Sequence, residues 1–296
     1  PVDPLPPIEC PSPPNEAVNL SAGETPTTGK NLYGCNSILP RIDGNKTIIY
    51  LYSCIFRNLE DSGNTGGGAI YHSTTSTGTP KGASNIFNCT FEGCKSSKGG
   101  AIMIYTTQYT RNFLISNCIF KKNEATTDGG AIFFYGVTAT ISGCQFINNK
   151  GNEIYNERSS TSFKEGNLLT ISNNKFERSD STITGSLIKN KWTLNSELVF
   201  ENNDIQIESS IKNVYLIELE GETNIKNMTC KNNCISPSTD FIINDSEMRA
   251  KLIEGFSSTC DETKPTNPDE TTTPIEPTNP VDPLPPIECP SPPNEA

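Results

Sequence analysis

Eleven cysteines, a single histidine and five Asn-x-Ser/Thr triplets are the residues of this 296-residue chain whose chemistry is worth weighing first. Cysteines can pair, hold a metal or remain thiols. Cys89 with Cys94, and Cys230 with Cys234, have spacings that would suit half of a zinc site, but no second Cys/His pair follows either of them. They are therefore candidates for disulfides, and neither a metal nor a cofactor is expected. His72 would have to serve any histidine-dependent triad. No Gly-x-Ser-x-Gly elbow accompanies it, so no catalytic role is assigned to it. The carboxylates and lysines from Asp61 and Glu92 through Asp128, Glu153 and Glu177 to Asp204 form no column of shared charge, and read as solvated turn residues. The triplets at Asn19, Asn45, Asn88, Asn227 and Asn244 are candidate N-glycosylation sites, and the proline-flanked run Thr271, Thr272, Thr273 is compositionally like an O-glycosylated stalk. Many cysteines together with such triplets point to an oxidising compartment, hence to a secreted protein at the cell surface or beyond it.

What must position these residues is a repeat. The stretch Ile115 to Ile132, ISNCIFKKNEATTDGGAI, recurs in its parts through the middle of the chain. Its first half aligns as Leu51/Cys54/Phe56, Ile86/Cys89/Phe91, Ile115/Cys118/Phe120, Ile141/Cys144/Phe146, Ile171/Asn174/Phe176, Phe200/Asn203/Ile205 and Ile225/Met228/Cys230. Its second half, Gly-Gly-Ala-Ile, appears at 67–70, 99–102 and 129–132 and decays through Gly151–Ile154 and Gly185–Ile188. Repetition at this scale signals a solenoid. The positions aligned with Cys (54, 89, 118, 144, 174, 203, 228) are 35, 29, 26, 30, 29 and 25 residues apart. Constant strands joined by variable turns would produce such spacings.

Alternation along a strand turns the Cys and Phe inward and the residue between them outward. The polar pair before each Cys marks a bend. The Gly-Gly pair suits a second corner, where positive φ or a close backbone approach excludes a β-carbon. The Ile that ends the second half is expected to face inward. Neighbouring rungs would bring Cys54, Cys89, Cys118 and Cys144 close together, but parallel Cβ vectors disfavour bridges within that column. Its members are thus expected to be buried thiols, or to be bridged to cysteines outside it such as Cys94. Asn123, Asn149 and Asn233, at the position after the Phe, are expected to stack as a hydrogen-bonded ladder.

Residues 1–17, PVDPLPPIECPSPPNEA, recur unchanged as residues 280–296. The period is 279 residues, and the chain reads as one full unit of a tandem array running into the next. Cys10 and Cys289 occupy the same repeat position, which leaves ten cysteines in each period, an even number that permits full pairing. Eighteen of the 22 prolines lie in the segments 1–17 and 261–296, which should be extended linkers able to span up to about 100 Å. Cys10 would staple such a linker to the folded body, with Cys35 and Cys260 as the nearest candidate partners, and Cys289 would do the same in the following unit. The boundaries expected are a linker at 1–17, an N-terminal cap at 18–45, a body at 46–260 and a linker at 261–296.

Net charge of −11 and a pI near 4.7 argue against a nucleic-acid partner. No run approaches the roughly 20 apolar residues of a membrane span, and the N-terminus lacks the basic start and apolar core of a signal peptide. Trp192, the single tryptophan, is read as a packing residue.

The repeated Gly-Gly-Ala-Ile, combined with Phe-x-x-Asn at Phe120–Asn123 and Phe146–Asn149, resembles the polymorphic outer membrane protein repeats of chlamydial and protist surface proteins. The resemblance covers about residues 50–245. It implies a right-handed parallel β-helix displayed at the cell surface, often adhesive. Phe91 departs from the motif, being followed by Cys94 in place of Asn. The fold expected is therefore all-β, a single-stranded right-handed parallel β-helix of about seven rungs with Pro-rich extended linkers at both ends. The function expected is that of a non-catalytic structural glycoprotein, one unit of a fibre or stalk whose partners are neighbouring copies of itself. The alternatives are an adhesin for host protein or glycan, and a polysaccharide lyase or hydrolase by analogy of fold.

Overall fold

A computed structural model of the chain describes residues 5–26, 30–45, 47–63, 65–74, 83–106, 112–157, 168–191, 197–211, 215–220, 228–236 and 253–257. They form a parallel β-solenoid. Three long sheets, of nine, eight and seven strands, make its faces, and within each sheet the strands follow one another in chain order. One coil shows the plan. Asn112–Ser116 lies on the first face, Ile119–Lys121 on the second and Ile132–Tyr135 on the third, with Glu124–Asp128 in a short two-stranded sheet between the last two. Between Ile49 and Glu220 each coil supplies a strand to all three faces, with partial coils at the ends. The number of complete turns is thus slightly below the seven rungs expected.

Coils stack in strict register. The column Phe56, Phe91, Phe120, Phe146, Phe176 pairs residue for residue on the second face. Successive rings lie 4.9 to 5.0 Å apart at interplanar angles of 1 to 10°. The third face carries Ile42, Ile70, Ile102, Ile132, Ile154, Ile188 and Ile217 in the same way, all buried, so the Ile column does face inward.

Each corner has its own chemistry. The residue before each Cys-aligned position adopts positive φ, as at Asn88, Asn117, Gly143, Asn173 and Asn202. Asn and Gly tolerate this left-handed conformation better than other residues, which explains the polar pairs that precede the Cys. At the Gly-Gly corner the two glycines act differently. Gly99 has φ +61°, whereas a β-carbon on Gly100 would strike the carbonyl oxygen of Gly130 in the next coil.

Two expectations are corrected. The last rung is not Ile225/Met228/Cys230: Cys230 pairs with Phe200 on the first face, and Ile235 pairs with Ile205 on the second. Asn233 therefore takes the Cys-aligned position, 30 residues after Asn203 rather than 25. The low-similarity Met-Thr-Cys stretch was displaced because a strand slipped by five residues still shows alternating apolar positions. Glu153, read as a solvated turn residue, is fully buried. It stands where earlier coils have the Ala of Gly-Gly-Ala-Ile, and pairs with the buried Arg178 at 3.3 Å. Arg178 also donates to the carbonyls of Gly151, Gly185 and Ser186. Burial pushes the Glu153 carboxyl up and the Arg178 guanidinium down, each opposed by the charge of the other. The pair fills the interior one coil beyond the short two-stranded sheet, where the Phe-x-x-Asn motif is lost.

The segment expected to be a cap, 18–45, joins the stack. Leu32–Cys35 pairs with Ile49–Tyr52, and Ile42–Asn45 pairs with Ile70–Thr74. The first face is closed by Val18–Asn19 on Leu32–Cys35, and the second by Phe256–Ser257 on Asn233–Ser236. Among the described residues no helix is long and apolar enough to cross a membrane.

Because the second glycine of the pair leaves no room against the next coil, Gly100→Ala should destabilise the body by about 1–3 kcal/mol. Thermal unfolding would show it as a lowered Tm, whereas the exposed Thr126→Ala should leave Tm within about 1 °C of the parent.

Candidate functional site

Two arrangements bring the cysteines together, one inside the solenoid and one on its flank. Inside, the column Cys54, Cys89, Cys118, Cys144, Asn174, Asn203, Asn233 runs along one corner, and all seven are buried. The backbone turns there, so the N–H of each member cannot join a strand ladder. It donates instead to the side chain of the next member: Cys54 to Cys89 Sγ, Cys89 to Cys118 Sγ and Cys118 to Cys144 Sγ, each at 3.4 Å. The chain continues from Cys144 to Asn174 Oδ1 at 2.9 Å, Asn174 to Asn203 Oδ1 at 3.0 Å and Asn203 to Asn233 Oδ1 at 3.1 Å. A thiol and an amide are interchangeable here because each holds an acceptor at the same reach from the backbone. Each of the four thiols also donates to the carbonyl two residues before it, at 3.2 to 3.4 Å.

These cysteines are thiols, and so are Cys94 and Cys230. The expected disulfides of Cys89, Cys94 and Cys230 do not form. Cys94 belongs to the second corner column, where its N–H donates to Asn123 Oδ1 at 3.0 Å and that of Asn123 donates to Asn149 Oδ1 at 2.9 Å. The Asn ladder expected from Asn123, Asn149 and Asn233 is thus two ladders, with Asn233 in the first. Burial pushes the thiols of Cys89, Cys118 and Cys144 far up, that of Cys94 to about 11 and that of Cys230 to about 12. Cys54 is lowered by its hydrogen bond with Cys89, against its burial.

On the flank, the Pro-rich segment 5–14 lies against the body as a strap. Cys10 is disulfide-bonded to Cys35, one of the two partners the sequence left open, with Cα atoms 6.0 Å apart. Asn36 reads the backbone of Ile8 from both sides, donating from Nδ2 to its carbonyl at 2.8 Å and accepting from its N–H at 3.3 Å. Tyr33 donates its hydroxyl to Pro11 O at 2.6 Å, and Asn88 donates from Nδ2 to Pro6 O at 3.0 Å. Ile8 and Ala17 pack on an outward cluster of Tyr33, Cys35, Tyr52 and Phe87, separate from the interior core. Half of the residues in segment 5–14 are prolines without an N–H, so recognition falls on its carbonyls and on Ile8, which Asn36 reads through both backbone groups.

The remaining candidates fall as follows. Cys234 points outward on the second face and is disulfide-bonded, with its partner outside the described residues. Asn88 is buried and also donates to Ser53 Oγ at 2.6 Å, so a glycan on its Nδ2 and the seated strap exclude each other. Asn19 is half-buried and caps the short helix Leu20–Ala22 by accepting from Ser21 N–H. Asn45 closes a strand, and its side chain lies outside the described residues, as do Asn227, Asn244, Trp192, Thr271, Thr272, Thr273, Cys260 and Cys289. His72 is buried in the interior, its Nε2–H donating to Thr47 O at 2.9 Å and its ring edge-on to Phe113.

One feature escaped the sequence reading. On the outer side of the third face, Phe133 stacks on Tyr155 at 4.9 Å and Tyr105 on Tyr135 at 4.5 Å, with Lys98 over Phe133 and Lys189 over Tyr155. Alternation in Ile-x-x-Tyr strands could have revealed it, since Tyr71, Met103, Phe133 and Tyr155 share the outward parity. Among the described residues no group of His, Cys, Asp and Glu could hold a metal ion.

Two measurements check these arrangements. Thiol alkylation at pH 8 should label none of the six buried cysteines in the native protein. Without reductant it should label all six after denaturation, while Cys10 and Cys35 stay linked in non-reducing peptide maps. Cys10→Ser should cost about 3 kcal/mol through loss of the closed loop, and should speed hydrogen exchange at Leu32–Cys35 far more than at Ile132–Tyr135. Comparison of the chain with protein-family models, with curated proteins and with solved structures gives no match, so the resemblance of its repeats rests on the motifs alone.

Proposed function

We propose that the chain is a non-catalytic structural unit of an extracellular fibre or cell-surface stalk, in which solenoid bodies are joined by Pro-rich segments. The observation that carries this reading is the strap. Segment 5–14 is held on the body by a disulfide and by side chains that fit its backbone, and the seventeen residues 1–17 that contain it recur at 280–296. A linker that only separated bodies would need no such seat. At each end of the stack one face also finishes in a two-residue strand, Val18–Asn19 on the first face and Phe256–Ser257 on the second, which shortens the edge on which parallel coils would otherwise pair. Joining through linkers, not by end-to-end stacking, suits that construction. The disulfides, the Asn-x-Ser/Thr triplets and the resemblance to surface-protein repeats favour an extracellular setting.

The adhesin alternative draws on the outer aromatic row of the third face. Those rings stack in pairs at 4.5 to 4.9 Å, so one face of each is already occupied, and lysines lie over Phe133 and Tyr155. The large exposed hydrophobics among the described residues, Ile38, Leu168 and Tyr215, are scattered and form no patch. The polysaccharide-enzyme alternative rests on fold analogy, and the one fully buried acid–base pair among the described residues, Glu153 with Arg178, is packed into the interior.

Electron microscopy of the native material should show filaments with one bead per 279-residue period. Isolated single bodies in native material whose chain carries one unit would overturn the reading.

A further inference from the structure

Parallel pairing in strict register sets side chains of successive coils directly above one another, and on the outer side of the third face it does this to two tyrosines. The column there runs Ser73, Tyr105, Tyr135, Glu157, one residue from each successive coil. The Tyr105 and Tyr135 rings lie face to face, with centroids 4.5 Å apart and planes inclined by 20°. Aromatic pairs left to themselves favour offset or edge-on contacts, so it is the register of the sheet that holds these two in this way. Both rings are half-buried, which leaves them within reach of an oxidant in solution. The neighbouring stacked pair, Phe133 on Tyr155, is buried and has only one phenol.

We propose that Tyr105 and Tyr135 are a site of oxidative coupling, at which a haem peroxidase using hydrogen peroxide creates a dityrosine bond between two adjacent coils of one body. Each phenol gives up one electron and one proton and becomes a neutral tyrosyl radical. The two radicals pair through ring carbons ortho to the oxygens. The orbitals that make this bond stand perpendicular to the ring planes, so stacked rings already point them at each other. The first product carries a hydrogen on each bonded carbon. Each of these leaves as a proton and each oxygen takes one up, which restores two phenols. Two tyrosines and one hydrogen peroxide thus give one dityrosine and two waters. Partners fixed in contact react at effective concentrations far above those of separate molecules.

Two features of the surroundings fit this chemistry. Burial, and then the neighbouring Tyr135, holds the Tyr105 phenol above its ordinary range, so its proton must leave together with the electron. Glu157, the next residue in the column after Tyr135, is a carboxylate placed to receive protons. The third face also differs from the other two in its covalent ties. Cys35 on the first face and Cys234 on the second are disulfide-bonded, whereas none of the seven strands of the third face contains a cysteine. A Tyr105–Tyr135 bond would tie that face. The site lies within one body, so it goes beyond the structural-unit reading and does not depend on it.

Other tyrosines supply internal controls. Tyr33 and Tyr52 are 6.1 Å apart and tilted by 48°, in the cluster on which the strap packs. Tyr215 is the most exposed tyrosine among the described residues, so chemistry governed by exposure alone would link it in dimers. The test treats the full chain at low concentration with a haem peroxidase and equimolar hydrogen peroxide, then separates monomer from dimer. Dityrosine fluorescence should rise in the monomer, and peptide mapping should find the Tyr105 and Tyr135 peptides joined with loss of two hydrogen atoms. Tyr105→Phe and Tyr135→Phe keep the ring stack, and each should lower monomer fluorescence about tenfold by removing the positioned partner. Tyr215→Phe should leave it unchanged. Thermal melts matching the parent before oxidation establish that each variant is folded. Absence of dityrosine, its confinement to dimers, monomer links mapped to other tyrosines, or monomer fluorescence indifferent to Tyr135→Phe would each overturn the proposal.

Discussion

The structure depends on one constraint, that each coil repeat the backbone path of its neighbour at the strand spacing of about 4.8 Å. Parallel pairing satisfies backbone groups along the faces and at the Gly-Gly corner, but at the two Cys/Asn corners the chain turns and an N–H is left without a ladder partner. Burying such a group unpaired would cost several kcal/mol over seven coils. The interior columns of Cys and Asn exist to meet that need. Each side chain accepts the N–H of the coil before it, and the positive-φ residue just ahead aims that N–H along the stack. The Phe and Ile columns then fill the volume that the corners enclose.

Viewed this way, a cysteine in this body is a corner residue before it is a redox residue. Six thiols remain reduced in a chain that also holds disulfides, because the interior offers them acceptors and donors along the column and keeps reagents out. Among the described residues, the cysteines that pair, Cys10, Cys35 and Cys234, lie outside the interior core, the first two where the strap meets the body. The division follows exposure and geometry: stacked positions share parallel Cβ vectors, whereas a strap can approach at the angle a disulfide requires.

Where the repeat degenerates, the interior is kept full by other means. Glu153 replaces the Ala of earlier coils and pairs inside with Arg178, two residues after Phe176; Asn149 Nδ2 also donates to the carboxylate, and three backbone carbonyls accept from the guanidinium. A buried pair of this sort is costly to desolvate, and it is a local solution to a change in coil shape more than a source of stability.

The sequence by itself determined the solenoid, its inward Phe and Ile columns, the corner positions and the identity of the strap cysteine, because each follows from a short period repeated many times or from seventeen residues recurring unchanged. The Cys10–Cys35 pair was legible as one of two possible pairings, the other being with Cys260. Tertiary structure alone decided among them, and it moved Asn233 into the Cys column, buried Glu153 and Asn88, and revealed the stacked rings outside the third face. The reason is physical. Alternation says which side of a strand a residue faces, but the register of a weakly similar coil, the partner of a buried charge and the seat of a proline strap depend on atoms brought together from separate coils, 29 and 32 residues apart in the columns and 82 between Asn88 and Pro6.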